Sequence, residues 1–230
     1  MFDFNFLTYL NSDKCLGITC DEYKNILESK KLTNNIYEKI TRLGFYAENA
    51  VFLKQVHETN IVVVDKNNIN EVRGRQGDAI IAIAPNIPII VFTADCVPIF
   101  IVDKVKKFIA AVHAGWKGTA KNIAFNVVEY MIKSLNCNPL DLIANIGPSI
   151  GPCCFEVKED VARYFKFFIR ENKYFVDLWK ENKEQLLKAG LSEENIYVTN
   201  VCTCCNENYY SYRREGILAG RQLNIIQFKE

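Results

Sequence analysis

The sequence predicts a single domain of mixed α/β (α+β) class, and three observations support this. Short apolar, strand-like runs alternate with segments of helical periodicity along most of the chain. Apolar residues make up 49% of 230 residues, enough for a sizeable core. No internal repeat, Pro-rich linker or low-complexity tract divides residues 1–230.

The elements follow in order. Residues 21–44 are polar and lysine-rich, but Ile26, Leu27, Leu32, Ile36, Ile40 and Leu43 recur at helical spacing, which predicts one or two helices, the second over Asn34 to Leu43. Val51 to Val56 and Ile61 to Asp65 read as two strands of a hairpin around Glu58-Thr59-Asn60. Further strands are expected at Ala79 to Ala84, Ile87 to Thr93, Pro98 to Asp103 and Phe108 to His113. A helix from Ala120 to Leu135 would place Ile123, Val127, Tyr130 and Met131 on one face. Leu142 to Ile146 returns to a strand, followed by a rigid Gly-Pro loop at Ile146 to Pro152. Val157 to Asn172 and Trp179 to Ala189 read as helices, the latter closed by Gly190. Ile196 to Asn200 and Gln222 to Phe228 complete the strands.

Composition narrows the classes of function. With 28 basic and 27 acidic residues the formal net charge is +1, so neither nucleic acid nor a membrane surface is an expected partner. The longest apolar run, Ile87 to Val102, is interrupted by Pro88, Asp95 and Pro98 and is too short to span a bilayer. Met1 to Phe6 lacks a basic region and a small-residue cleavage site, which predicts no signal peptide and a cytoplasmic location. The nine cysteines are odd in number, which argues against a disulfide framework. Cys202-Thr203-Cys204-Cys205, read by its Cys-x-Cys spacing, and the adjacent Cys153-Cys154 look ill-suited to chelation, so these thiols are expected to pack as small hydrophobes.

The chain has only two histidines, His57 and His113. Both end apolar stretches, as does Cys96 after Phe92-Thr93-Ala94-Asp95. Two imidazoles and a thiolate make a three-ligand tetrahedral site with one open position, the pattern of catalytic zinc. The donor set suits zinc or copper. A blue-copper centre wants an axial methionine, and only Met1 and Met131 exist, the second on the core side of its helix. A multicopper centre needs far more imidazoles than two. Zn2+ is therefore the expected ion and Cu2+ the weaker fit. A metal-free reading of the same trio makes Cys96 the nucleophile of a cysteine hydrolase, with a histidine base oriented by Asp95 or Asp78.

Three flanking segments carry further candidates. Gly115-Trp116-Lys117-Gly118-Thr119 lies between a strand and a helix, where amide groups and Lys117 would attract an anion; the plainer alternative is a helix start with Thr119 as N-cap. Tyr209-Tyr210-Ser211-Tyr212-Arg213-Arg214 and Gly220-Arg221-Gln222 offer stacking surfaces and guanidinium forks, from which Arg213 is selected. Arg73-Gly74-Arg75-Gln76-Gly77-Asp78 is a polar turn or a loop that delivers Asp78 to the site.

Taken in order, Gln55-Val56-His57, Gly77-Asp78-Ala79, Thr93 to Pro98, His113 to Gly118, Ile146 to Val157, and Tyr210 to Arg214 with Gly220-Arg221-Gln222 resemble the laccase-domain, YfiH-like family, long labelled polyphenol oxidases and associated with purine nucleoside phosphorylase activity. The resemblance implies an α-β-β-α layered fold with mixed sheets, zinc held by His57, Cys96 and His113, and phosphorolysis of adenosine, inosine and methylthioadenosine with adenosine deamination as a side activity. Asp78 and Asp95 would belong to the catalytic set. Lys117 and Arg213 would bind phosphate, and Trp116 or Tyr212 would stack on the purine. The partners are then a small-molecule nucleoside and phosphate, for a monomer or homodimer. The first 45 or so residues depart from the family pattern. Competing classes are a cysteine hydrolase or amidase acting through Cys96, a copper-dependent polyphenol oxidase, and a non-catalytic binding module.

Overall fold

Strands that are apolar at every position need cover on both faces. Ala79–Ala82, Ile89–Thr93, Val97–Asp103, Ile109–Ala114 and Leu142–Ile146 are buried throughout. The computed structural model, which describes residues 7–230, shows how that cover is arranged. Its elements run β1 (Leu7–Asn11), α1 (Cys20–Ser29), α2 (Asn34–Arg42), β2 (Val51–Phe52), β3 (Ile61–Val64), α3 (Ile69–Val72), β4 (Ala79–Ala82), β5 (Ile89–Thr93), β6 (Val97–Asp103), β7 (Ile109–Ala114), α4 (Trp116–Ala120), α5 (Ile123–Leu135), β8 (Leu142–Ile146), β9 (Glu156–Val157), α6 (Glu159–Ala162), β10 (Phe167–Arg170), β11 (Lys173–Val176), α7 (Leu178–Lys188), β12 (Ile196–Val198), α8 (Tyr212–Glu215) and β13 (Gln222–Phe228). The signal-peptide reading of Met1 to Phe6 lies outside the described residues.

Two large mixed sheets carry the fold. One has the order β1-β13-β5-β2 and the other β12-β8-β6-β7-β4-β3. Alternating side chains sort into three apolar layers. Ile80, Phe100, Val102 and Ala111 of the six-stranded sheet meet Val51, Ile89, Val91 and Ile226 of the four-stranded sheet in the middle layer. The other face of the six-stranded sheet, with Ile81, Ile99, Ile101 and Val112, is covered by Ile123, Val127 and Met131 of α5 and by Leu186 of α7. The other face of the four-stranded sheet, with Ile90, Phe92, Leu223 and Ile225, is covered by Ile26 of α1 and by Ile36 and Ile40 of α2. The result is a single mixed α/β domain in α-β-β-α order. Phe100 is 1% exposed at the centre of the sandwich. Truncating such a ring to Ala costs about 3–5 kcal/mol.

The covering helices are stopped by local chemistry. The Thr19 side chain accepts from the Glu22 N–H while the Glu22 carboxylate accepts from the Thr19 N–H, a reciprocal capping box that starts α1. Thr33 caps α2 in the simpler way. Gly190 follows α7 with φ +102, the left-handed position expected of it.

Four expectations change. Val51 to Asp65 is not a hairpin: β2 pairs in parallel with β5 in one sheet, and β3 pairs in parallel with β4 in the other. The helix expected from Ala120 is broken in two, because Asn122 sits at φ +59 between α4 and α5. Thr119 is consequently inside α4 rather than its N-cap, a place taken by Gly115. Val157 to Asn172 is not one helix. After the single turn of α6, Phe167–Arg170 pairs antiparallel with Lys173–Val176 across Glu171 and Asn172, at φ +50 and +58. Two successive left-handed residues are the type I′ hairpin geometry, and the Phe-Phe-Ile run before them favours a strand. β1, not anticipated, completes the edge of the four-stranded sheet against β13.

Candidate metal centre

The chain passes from β5 in one sheet to β6 in the other through Ala94, Asp95 and Cys96. Cys96 therefore stands at the seam between the sheets. His113 is the penultimate residue of β7, opposite Pro98 of β6. His57 lies beyond β2, in a turn where it adopts φ +61, a left-handed conformation uncommon for non-glycine residues but in which Asn, Asp and His are enriched. The three donor atoms, one from each residue, all lie within 4.8 Å of one another. The imidazole rings meet edge to face with centroids 4.8 Å apart, and Cys96 Sγ is 3.9 Å from His57 Nε2.

Asp78 organises this corner. It is 1% exposed, and all its acceptor capacity is directed at the two histidine segments. Oδ1 accepts from His113 Nδ1 at 2.8 Å and from the His57 backbone N–H at 2.9 Å. Oδ2 accepts from the backbone N–H groups of Glu58 at 2.9 Å and Val56 at 3.3 Å. Burial works against the ionised carboxyl, but His113 and the N–H groups outweigh it and hold the pKa below the usual range. A carboxylate on Nδ1 fixes that nitrogen as the protonated one and leaves Nε2 as the ligating atom, the carboxylate–histidine–metal arrangement.

The donor set fits a divalent ion on two counts. Burial opposes ionisation of Cys96, yet the flanking imidazoles bring its pKa down to about 6, so the thiolate is present at neutral pH. Burial likewise disfavours protonated His113, but the Cys96 thiolate and Asp78 push it up to about 9. An ion at this corner would take the place of the Nε2 proton of His113 beside the Cys96 thiolate, so binding would release a proton. The second count is steric. A Cβ on Gly115 would stand 3.0 Å from Cys96 Sγ and 3.1 Å from His57 Cδ2, so any side chain there would crowd these two residues, while His113 Cε1 at 3.8 Å would be in ordinary contact.

The trio opens into a cavity of about 610 Å3, within the range of small-molecule sites. Tyr23, Phe92, Trp116 and Phe155 give it aromatic walls, and Arg213 and Arg221 bring positive charge. Tyr212 reaches the lining and is 56% exposed. Arg213 donates from Nη1 to the Cys154 carbonyl and from Nη2 to the Glu156 carbonyl, at 2.9 and 2.8 Å. Arg221 stacks over Tyr23 at 5.0 Å while its Nη1 donates to the carbonyls of Ala219 and Gly220.

Several expected site residues stand elsewhere or act differently. Lys117 is exposed, outside the lining, with its Nζ 5.7 Å over the Trp116 ring. The helix that carries it, starting at Trp116, has only five residues, so the backbone dipole there is slight. Asp95 touches the cavity, but it orients neither imidazole: its carboxylate accepts from Thr203 Oγ1 at 2.7 Å, Ser211 Oγ at 3.0 Å and the Arg213 N–H at 2.6 Å. Its φ of +80 is held by those bonds and by the Ile150 N–H on its carbonyl. Sequence reasoning missed Tyr23, Phe92, Phe155, Glu156 and Arg221. Arg221 had a visible signal in Gly-Arg-Gln beside the tyrosine cluster, and Phe155 and Glu156 lie within the Ile146 to Val157 motif; Tyr23 and Phe92 sit in a helix and a strand whose pattern gives no sign of exposure to a cavity. It also passed over Cys202-x-x-Cys205, hidden inside a Cys-x-Cys-Cys run. That pair meets Cys153 and Cys154, and all four Sγ atoms lie within 4.8 Å of one another, which overturns the expectation of ill-suited spacing.

An α-β-β-α domain with a two-histidine, one-cysteine corner at the seam of its sheets defines the class of protein. The family described as multi-copper polyphenol oxidoreductase laccase matches residues 25–229, and the chain belongs to it. A purine nucleoside phosphorylase of Bacteroides thetaiotaomicron is 32% identical over 86% of this chain and 80% of its own length. Another, from Clostridium acetobutylicum, is 34% identical over 79% of this chain and 78% of its own length. Among solved structures, YlmD of Geobacillus stearothermophilus is 27% identical with a TM-score of 0.83, covering 97% of this chain and 91% of that one. The hypothetical protein YfiH of Bacillus licheniformis also has a TM-score of 0.83, at 26% identity over 98% and 94% of the two chains. No helix among the described residues is long and apolar enough to cross a membrane.

Proposed function

We propose that this protein is a zinc-dependent purine nucleoside phosphorylase acting on adenosine, inosine and methylthioadenosine, with adenosine deamination as a side activity. The observation that carries the reading is the shared cavity: the convergent donor atoms of His57, Cys96 and His113 open into the same aromatic-walled space as Arg213 and Arg221. The two phosphorylases at 32% and 34% identity support it.

In the proposed reaction an oxygen of inorganic phosphate forms a bond to ribose C1′ as the C1′–N9 bond breaks. The electron pair departs with the purine, which takes up a proton. Arg213 has two of its five N–H groups tied to the carbonyls of Cys154 and Glu156, which fixes the guanidinium plane and leaves donors for the phosphate. Trp116, Phe155 and Tyr212 offer faces for the purine. Asp78 positions the His113 imidazole and the His57 backbone, and Asp95 positions Arg213 through its backbone N–H. His57, Cys96 and His113 would hold the zinc, which when bound would supply Lewis acidity for departure of the base or for deamination.

The test is to assay inosine with phosphate, with arsenate and with neither. Ribose 1-phosphate should form only with phosphate; base release that ignores phosphate refutes the proposal. One observation favours a second reading. The Cys96 thiol at about pKa 6, with His57 Nε2 at 3.9 Å, is a nucleophile–base pair of the kind used by cysteine hydrolases. Inactivation by iodoacetamide together with indifference to chelators would favour that reading, whereas chelator sensitivity favours zinc.

A further inference from the structure

Four cysteines that the proposed chemistry does not use meet on the far side of Arg213. Cys153 and Cys154 sit in the turn that follows the Gly-Pro loop, and Cys202 and Cys205 in the loop that follows β12. Their Sγ atoms all lie within 4.8 Å of one another. Cys205 Sγ is 3.2 Å from Cys154 Sγ and 3.4 Å from Cys153 Sγ. Four sulfurs around a tetrahedral zinc at about 2.3 Å stand about 3.8 Å apart. The two close pairs would open by a few tenths of an ångström and pairs near the 4.8 Å limit would draw in, a small rearrangement of the cluster. The Gly151 N–H already points at Cys202 Sγ, 3.2 Å away, as backbone donors do toward metal-bound thiolates.

The two loops are registered by backbone pairing as well as by their side chains. The Ser149 N–H donates to the Val201 carbonyl and the Thr203 N–H to the Ser149 carbonyl. Three arginines then bond the carbonyls of the cysteine-bearing turns: Arg170 to Cys153, Arg213 to Cys154, and Arg214 to Thr203 and Cys204. Four thiolates on one divalent ion leave two net negative charges, and these guanidinium groups bring compensating charge to the loops that carry them.

We propose that Cys153, Cys154, Cys202 and Cys205 form a second metal site, a closed tetrathiolate centre that takes zinc. Binding releases the thiol protons and ties the Gly151–Cys154 turn to the Cys202–Cys205 loop. The Gly151–Cys154 turn is flanked by the cavity-lining residues Ile150 and Phe155, and Arg213, which also lines the cavity, bonds the Cys154 carbonyl, so the ion holds one wall of the pocket in shape without touching the reactants. The site stands on its own geometry and does not depend on which reaction the first centre performs.

Metal content of the full chain, prepared with Zn2+ under anaerobic conditions, tests this. The wild type should carry two equivalents, His57→Ala/His113→Ala one, and Cys202→Ser/Cys205→Ser one, with Cys15→Ser as a surface-thiol control retaining two. Co2+ added to His57→Ala/His113→Ala should bind in one equivalent with the intense sulfur-to-metal absorption of a four-thiolate site, a readout that holds even where the cysteine variant fails to fold. One equivalent in the wild type and none in the histidine variant overturns the proposal. So does a Cys154–Cys205 or Cys153–Cys205 disulfide found by non-reducing mass spectrometry in the anaerobic preparation.

Discussion

A single oxygen of Asp78 accepts from His113 Nδ1 and from the backbone N–H of His57. One buried carboxylate thereby sets the ring orientation of one ligand and the left-handed backbone of the other. Asp78→Asn keeps the volume but replaces one acceptor oxygen with a donor. We expect metal affinity to fall about 10–100-fold, the usual consequence of losing such a partner, measured by competition with a chromophoric chelator. Unchanged affinity would remove Asp78 from the account of the site.

Gly115 separates space from backbone strain. Its φ of −68° and ψ of 169° are open to any residue, so Gly115→Ala strains no dihedral. The added methyl would nevertheless crowd Cys96 Sγ and His57 Cδ2. The expected result is a Tm within a few degrees of wild type and a loss of bound metal and activity of about tenfold or more. A variant that loses stability while retaining its metal would contradict this.

Arg213 and Lys117 make a contrasting pair. Arg213→Lys gives up the fork that reaches the Cys154 and Glu156 carbonyls. Its KM for phosphate should rise about tenfold or more. Lys117→Ala, altering an exposed side chain outside the cavity lining, should shift the same constant by less than about twofold. Equal effects would relocate the anion site to the start of α4.

The capping box gives a pH dependence of its own at the start of α1. Burial raises the Glu22 pKa, but the Asn35 side chain, the Thr19 backbone and hydroxyl groups and Lys39 outweigh it, and the net value is lowered. A carboxyl depressed on folding contributes stability above its unfolded pKa and loses it as pH falls through the folded value. Glu22→Ala should therefore cost about 0.5–1 kcal/mol at pH 7, an exposed position keeping it small. The gap to wild type should narrow as the pH drops below about 4.5, followed by urea denaturation at each pH. A gap independent of pH would assign the effect to helix propensity alone.

The legibility of the chain follows from physics that differs from segment to segment. Ile80, Phe100 and Ile90 belong to strands covered on both sides, so their apolar runs stand out in sequence, and the helices over them show clear periodicity. His57, Cys96 and His113 were readable because two histidines in a chain leave few choices. Phe167 to Ile169 misled because a short aromatic run fits a helix or a strand, and Asn172 is what decides. The segment around Glu58 resembled a hairpin because its turn is made by the Asp78 carboxylate, a partner twenty residues away. The lining by Tyr23 and Glu156 depends on where loops come to rest, which no local pattern encodes.

Because Cys96 occupies the crossing from β5 to β6 while His113 comes from the six-stranded layer and His57 from the chain leaving the four-stranded one, the three donor atoms converge only while the two layers are docked. An ion held there acts as a rivet through the sandwich. Free metal at a hundredfold over its dissociation constant would add about 2.7 kcal/mol against separation of the layers, and its withdrawal would make that seam the first place to open.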